Sequence, residues 1–173
     1  ASRALSKQEL TTLELKDQYT KALEYYDCTT DDSRLVMHVA LLAKQHGAKI
    51  LTHTKLVKAI RKDQGWLVTL VKTIVNAAGP WTEDVALNIL NIQPKYKLQL
   101  VKGSHIIVPK LFTHKQAFIL QNQDGRVVFV IPYLQAFTLI GTTDVVLNNI
   151  EQPANVSNAE IEYLCNITNQ FLQ

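Results

Sequence analysis

Cysteine is scarce in this chain, basic residues are scattered, and no long apolar run occurs. The two cysteines, Cys28 and Cys165, have no partner spacing, which speaks against a disulfide framework; they read as reduced thiols of a cytosolic compartment. The net charge is a modest +3, with no Arg/Lys stripe interleaved with aromatics, so no nucleic-acid partner is expected. No apolar run approaches the roughly 18 residues of a membrane-spanning helix. His38, His46, His53 and His114 show no ligand spacing with carboxylates or cysteines, and no metal site is expected. Internal repeats and low-complexity segments are absent. Without a secretory segment, Asn155-Val-Ser157 and Asn166-Ile-Thr168 read as chance matches to the glycosylation pattern.

What is present is enough for a core. Hydrophobic residues make up 47% of the 173, which allows one domain or two small ones. Charged residues are only 19%, so part of the surface is expected to lie against something else. The chain opens at Ala1 and stops at Phe171-Leu172-Gln173, inside a helical pattern, and is read as a piece from the middle of a longer protein.

Ser6-Lys7-Gln8-Glu9 fits a capping box opening a short helix to about Asp17. Ala22–Tyr26 reads as a strand. Asp31 and Asp32 cap a helix with Leu35, Val39 and Leu42 on one face, and Gly47 ends it. Ala48–Thr54 reads as a strand, Leu56–Arg61 and Trp66–Val71 as a hairpin, and Lys72–Ala77 as another strand. Pro80 suits the first turn of a helix to about Leu90. Strand-like runs follow at Lys97–Pro109, Ala117–Asn122, Val127–Pro132 and Phe137–Gly141, with Asp124-Gly125 as a hairpin turn. Ser157-Asn158-Ala159-Glu160 is a second capping box, heading a helix with Ile161, Leu164, Cys165 and Thr168 on one face. Helix-strand units precede an antiparallel run, so the class is α+β, or mixed α/β with an antiparallel second sheet, divided at 1–93 and 94–173.

Apolar strands that end in small, hydroxyl-bearing or ionisable residues build pockets. His105 sits between a Lys-Gly turn and an apolar strand; an imidazole can take a proton near neutral pH, or simply hydrogen-bond within a strand. Lys102 precedes a glycine, so its ammonium faces either an anion or solvent. Thr142 and Thr143 are ligand contacts or a strand-end turn capped by Asp144. Ala77-Ala78-Gly79 ends a strand without bulk, which allows close backbone approach to a ligand. The helix cap accounts for Asp31 and Asp32, and Asp124-Gly125-Arg126 reads first as a turn.

At Asn76-Ala-Ala-Gly-Pro-Trp81, Lys102-Gly-Ser-His105 and Gly141-Thr-Thr-Asp144 the chain resembles bacterial FAD-dependent (aerobic) glycerol-3-phosphate dehydrogenases. Tyr26-Asp27-Cys28, Asp31 to Val36 and Ile119 to Asn122 extend the likeness over nearly the whole chain. The resemblance implies a fold of the glutathione-reductase-like, D-amino-acid-oxidase-like flavoprotein type. It has flavin-binding βα elements (1–93, incomplete) and an antiparallel substrate-binding sheet (94–173). It implies oxidation of glycerol 3-phosphate to dihydroxyacetone phosphate, with FAD as cofactor and a membrane quinone as electron acceptor. The whole protein would be cytoplasmic and attached to the inner membrane, with a homodimer left open. By the same resemblance His105 is the base, Lys102, Thr142 and Thr143 bind substrate, and Leu56, Ala78, Gly79 and Trp81 line FAD, with the backbone around Leu56 near adenine.

The chain departs from that family in three ways. It has no Gly-x-Gly-x-x-Gly loop to seat a pyrophosphate, and it lacks downstream segments that supply further cations for the phosphate. Relatives carry a longer connection before Lys72–Ala77, so a chain break is anticipated near Leu70–Thr73. The isolated piece is expected to be catalytically silent and to retain little FAD. Two alternatives remain: a related FAD-dependent amine or amino-acid oxidase, which needs a carboxylate-binding arginine among Arg3, Arg34, Arg61 and Arg126, and a non-catalytic, self-associating sheet module.

Overall fold

A computed structural model describes residues 2–63, 65–68, 73–151 and 154–173. In chain order the elements are β1 (Arg3–Ala4), α1 (Lys7–Leu10), β2 (Leu23–Glu24), α2 (Asp32–Gln45), β3 (Ile60–Lys62), β4 (Gly65–Leu67) and α3 (Thr82–Asp84). They continue with β5 (Leu100–Lys102), β6 (His105–Pro109), β7 (Phe118–Gln121), β8 (Val127–Tyr133), β9 (Phe137–Gly141), β10 (Val145–Leu147) and α4 (Asn158–Phe171). The class is mixed helix and antiparallel sheet, and two compact units form: 1–25 with 99–173, and 26–98. The change of unit at Leu98–Gln99 lies near the boundary read at 93/94, while the N-terminal 25 residues group with the sheet.

The first unit is built on a four-stranded antiparallel sheet ordered β6-β9-β8-β7. Strand side chains alternate between faces, and here one face carries Phe118, Leu120, Val128, Val130 and Ile140, all buried. Against it α4 lays Leu164, Ile167 and the following Leu172, and the N-terminal segment adds Leu10 and Leu13. Burying each large aliphatic side chain contributes about 1.5–3 kcal/mol. His114 stacks on Phe112 with ring centroids 4.4 Å apart and reaches Glu14 at 3.2 Å, which ties the N-terminal segment to the loop before β7.

Both capping boxes form as read, but α1 stops at Leu10 rather than near Asp17. Thr11 and Thr12 turn their hydroxyls back to the Gln8 and Glu9 carbonyls, and Glu14 takes a positive φ of 45°, which no continuing helix accepts. On α4 the buried side chains are Glu160, Leu164, Ile167 and Thr168, while Ile161 stays 36% exposed. The buried face is therefore rotated from the expected one, toward the glutamate.

In the second unit α2 begins at its Asp31 cap and ends before Gly47, whose φ is 90°. A 3-10 turn (Gly79–Trp81), α3 and a π-helical stretch (Val85–Ile89) make one helical run where Pro80 predicts it. The β3–β4 hairpin forms within the one read from the sequence, but β3 covers only Ile60–Lys62, and Leu56 to Ala59 are not strand. Ala48–Thr54 and the described part of Lys72–Ala77 are not strands. A strand needs a hydrogen-bonded neighbour, and among the described residues these two segments have none. The break anticipated near Leu70–Thr73 falls on residues 69–72, outside the described residues.

Candidate functional site

The face of the four-stranded sheet away from α4 is open and apolar. Ile107, Phe129, Ile119 and Phe137 are each exposed on it, and His105 stands at one end. His105 pairs directly with Gly141 on β9, which in turn pairs with Phe129 on β8. A Cβ added to Gly141 would lie 2.1 Å from His105 Cδ2 and 2.6 Å from Nε2. The imidazole therefore lies across the bare glycine backbone, as cross-strand neighbours of a glycine do when they cover it. Glycine at 141 decides where the ring rests.

Immediately beyond this pair the register changes. β6 pairs β9 up to His105–Gly141, and β5 pairs β10 from Lys102–Val145 onward. Between the ladders Gly103 and Ser104 stand opposite Thr142, Thr143 and Asp144, two residues against three. Such a bulge breaks the ladder and re-aims side chains. Gly103 permits the close approach it requires, since a Cβ there would sit 2.4 Å from the Thr142 hydroxyl oxygen. Thr142 donates that hydroxyl to the Thr143 carbonyl at 3.0 Å, leaving its oxygen able to accept.

Behind the bulge lies a buried polar cluster centred on Glu160. Its Oε1 accepts from Ser104 Oγ at 2.8 Å and Thr143 Oγ1 at 2.7 Å. Its Oε2 accepts from Lys102 Nζ at 2.7 Å and from the Ser157 backbone N–H and hydroxyl at 2.9 and 2.8 Å. Lys102 also donates to the Asn155 carbonyl, and the Ser104 N–H donates to Thr143 Oγ1. Burial by itself would raise the Glu160 carboxyl; the Lys102 ammonium, with the Ser157 and Thr143 donors, outweighs it and holds the group well below the usual carboxylate range.

Within 26–98, the loop Asn76 to Trp81 is braced by its own asparagine. Asn76 Nδ2 donates to the Thr82 carbonyl at 2.9 Å and its Oδ1 accepts from Ala78 N. Gly79 has a φ of 57°, and among the described residues no atom beyond its chain neighbours lies within 4 Å of where a Cβ would stand. Trp81 is 56% exposed. Leu56 is half-buried, and the segment after it is tied to the helical run by Ala59 N–H to the Ile89 carbonyl. A small, fixed loop with free space beside it fits close approach by a flat ligand.

Of the residues singled out in the sequence, His105 and Thr142 both lie at the bulged end of the sheet, where His105 pairs with Gly141 and Thr142 follows that glycine. Lys102 and Thr143 lie behind it, each with Glu160 as partner. Leu56, Ala78, Gly79 and Trp81 belong to the other unit. Sequence reasoning passed over Glu160, Ser104 and Gly141. Glu160 was fully accounted for as a capping-box residue; the one available signal was that it heads an otherwise apolar buried face. Among the described residues no group of three or more His, Cys, Asp or Glu is arranged to hold a metal.

The model for the family described as "FAD dependent oxidoreductase" matches residues 1–173, and the chain belongs to that family. It is 38% identical over 167 residues to the aerobic glycerol-3-phosphate dehydrogenase of Escherichia coli K12, covering 90% of this chain and 33% of that protein. It is 41% identical over 169 residues to the D-erythritol 1-phosphate dehydrogenase of Brucella abortus, covering 91% and 34%. For the aerobic glycerol-3-phosphate dehydrogenase of Staphylococcus aureus USA300 the identity is 33% over 186 residues, covering 96% and 33%. The chain spans about a third of the length of these curated relatives.

Proposed function

We propose that the whole protein, of which this chain is about a third, oxidises glycerol 3-phosphate to dihydroxyacetone phosphate. The observation that carries this reading is the imidazole of His105 laid over Gly141, next to Thr142, at the bulged end of an open apolar sheet face. Relatives at 37–41% identity, most of them named glycerol-3-phosphate dehydrogenase, support the substrate.

Oxidising a secondary alcohol removes a hydride from carbon and a proton from oxygen. When bound, FAD supplies the hydride acceptor. An imidazole nitrogen of His105 takes the hydroxyl proton, which is general-base work worth about 10²–10⁴-fold. Thr142 accepts a hydrogen bond from substrate through its free lone pairs and holds the reacting carbon against the open face. Ala78, Gly79, Trp81 and the backbone at Leu56 would line the cofactor; the free space beside Gly79 supports this. Further parts of the glutathione-reductase-like fold, the pyrophosphate seat among them, are supplied from outside this sequence. In this reading electrons pass on to a quinone, from a protein on the inner face of the membrane.

A second substrate has one observation in its favour, the 41% identity to a D-erythritol 1-phosphate dehydrogenase. An amino-acid oxidase is less well supported: Arg3 is paired with Glu9 and Glu24, and Arg126 with Asp124. The test is turnover by the full-length protein of glycerol 3-phosphate, D-erythritol 1-phosphate and a panel of amino acids, with a quinone analogue as acceptor. Glycerol 3-phosphate is expected to give the highest kcat/KM, and His105→Asn to lower kcat about 10²-fold or more. Preference for an amino acid would sink the reading.

A further inference from the structure

We propose that Glu160 is a positioning residue for this site: from the buried side of the sheet it clamps the bulge that presents Thr142 and His105. The inference rests on the functional reading above and adds a residue that touches neither substrate nor cofactor.

The argument starts from the bulge. With two residues facing three, the ladder cannot satisfy every group, and the extra residue can rotate either way. Thr143 is turned inward and is 1% exposed. There its hydroxyl would be an orphan, at a cost of about 1–3 kcal/mol, unless something accepted from it. Glu160 Oε1 accepts from it and also from Ser104 on the opposing strand. One carboxylate oxygen thus holds both sides of the bulge together.

The other oxygen fixes the carboxylate itself. Oε2 is held by the Ser157 cap at the start of α4 and by Lys102, the last residue of β5. The carboxylate therefore joins the helix start to the strand end on one flank of the bulge and to both bulge strands. With Thr143 held inward, its neighbour Thr142 is left half-buried beside Gly103, one residue past the Gly141 over which the His105 ring lies. A bulge free to flip would exchange the two threonines. A capping-box glutamate needs only the cap; the contacts to Ser104, Thr143 and Lys102 are what the cap does not explain.

The same geometry assigns Lys102 a role as the counter-charge of Glu160 instead of as a substrate contact. Its ammonium has a carboxylate and a carbonyl as partners, and its side chain is 10% exposed.

The test uses the full-length protein with Glu160→Gln and the charge-neutral pair Lys102→Met/Glu160→Gln. Glu160→Gln is expected to lower kcat about 10–100-fold with KM changed less than about threefold, since misplacement by about an ångström costs on that order. The ring resonances of His105 are expected to move. In the double variant the unpaired ammonium is gone but the carboxylate clamp is still missing, so kcat is expected to stay within about threefold of the Glu160→Gln value while Tm recovers, the non-additivity of groups in contact appearing in stability alone. Two results overturn the proposal. One is a Glu160→Gln protein with lower Tm but unchanged kcat and unchanged His105 resonances. The other is a KM raised about tenfold or more that persists in the double variant, which would give Lys102 to the substrate phosphate. If the wild-type protein turns over no polyol phosphate, the functional reading falls. The His105 resonances then decide the clamp alone: movement in Glu160→Gln that persists in the double variant supports it, and no movement, or movement that the double variant reverses, overturns it.

Discussion

Two helices of equal length show how differently the two units are built. α2 and α4 each span 14 residues, each starts at a side-chain cap, and each has an apolar face. α4 buries Leu164 completely and Ile167 and Glu160 nearly so, whereas α2 buries nothing. Leu35, Val36, Met37, Val39, Leu41 and Leu42 are all more than half exposed. Caps and propensity suffice to write a helix into a sequence; burial depends on what the rest of the chain brings to it. The 99–173 region, with the first 25 residues, brings a complete sheet face. In 26–98 the described buried apolar residues are Ala59 and Leu90 alone, so this unit carries the pattern of a packed layer without the layer. That accords with a chain about a third as long as its relatives.

The sharpest way to break the stronger unit is through its buried charge. Lys102→Met leaves Glu160 ionised without its counter-charge and should cost about 3–5 kcal/mol, the range for removing one partner of a buried pair. Denaturant unfolding of this chain, read by hydrogen exchange on β7–β9, measures it. The sign of the pH dependence follows from the depressed carboxyl of Glu160. Its contribution is fully present above the ordinary value of 4.5 and is lost as pH falls below that toward its folded value. Lys102→Met removes part of the depression, so stability between about pH 4.5 and the acid limit should fall less steeply than in wild type. An unchanged acid slope would mean that the pair contributes little.

Next in size is a matched leucine pair. Leu164→Ala removes a fully buried side chain between helix and sheet and should cost about 3 kcal/mol. Leu42→Ala, at a site 56% exposed on α2, should change stability by less than about 0.5 kcal/mol in this chain. Hydrogen exchange should show α2 amides opening with little protection while β8 opens only with global unfolding. Comparable losses for the two leucines would show that α2 finds a partner in solution, and size measurement would then say whether a second copy supplies it.

These contrasts also mark what the sequence could disclose. Much of what is local was readable: both capping boxes, the Asp31 cap, Gly47, the Asp124-Gly125 turn and the strand-like runs of the sheet, though not the early end of α1 at Leu10. The other failures are non-local. Ala48–Thr54 has strand composition, yet a strand exists only where a neighbour supplies its ladder. Glu160 satisfied a local motif so well that its contacts to Ser104 and Thr143, 56 and 17 residues away, had no reason to be sought. At the candidate site His105 and Thr142 were legible as strand-end residues. The bulge that turns Thr142 and Thr143 to different environments was not, because it depends on the register between two strands and no single segment records it.

The smallest expected effects come from two glycines that are glycine for different reasons. Gly79, in the weaker unit, has a φ of 57° with open space around it; Gly141, in the stronger, is not among the positive-φ glycines and has a ring against it. Gly79→Ala should cost about 1 kcal/mol from the left-handed conformation alone, and Gly79→Asn distinctly less, since asparagine tolerates that region. Gly141 should not follow that order. Alanine and asparagine there both place a Cβ inside the van der Waals envelope of the His105 ring, so either must push the imidazole off the β9 backbone. His105 is exposed, so the ring can swing outward and the stability loss should stay near about 1 kcal/mol. The His105 resonances, however, should shift in both Gly141 variants and in neither Gly79 variant. If Gly141→Asn recovers as Gly79→Asn does, conformation and not contact is what position 141 requires, and the ring does not rest where its strand partner suggests.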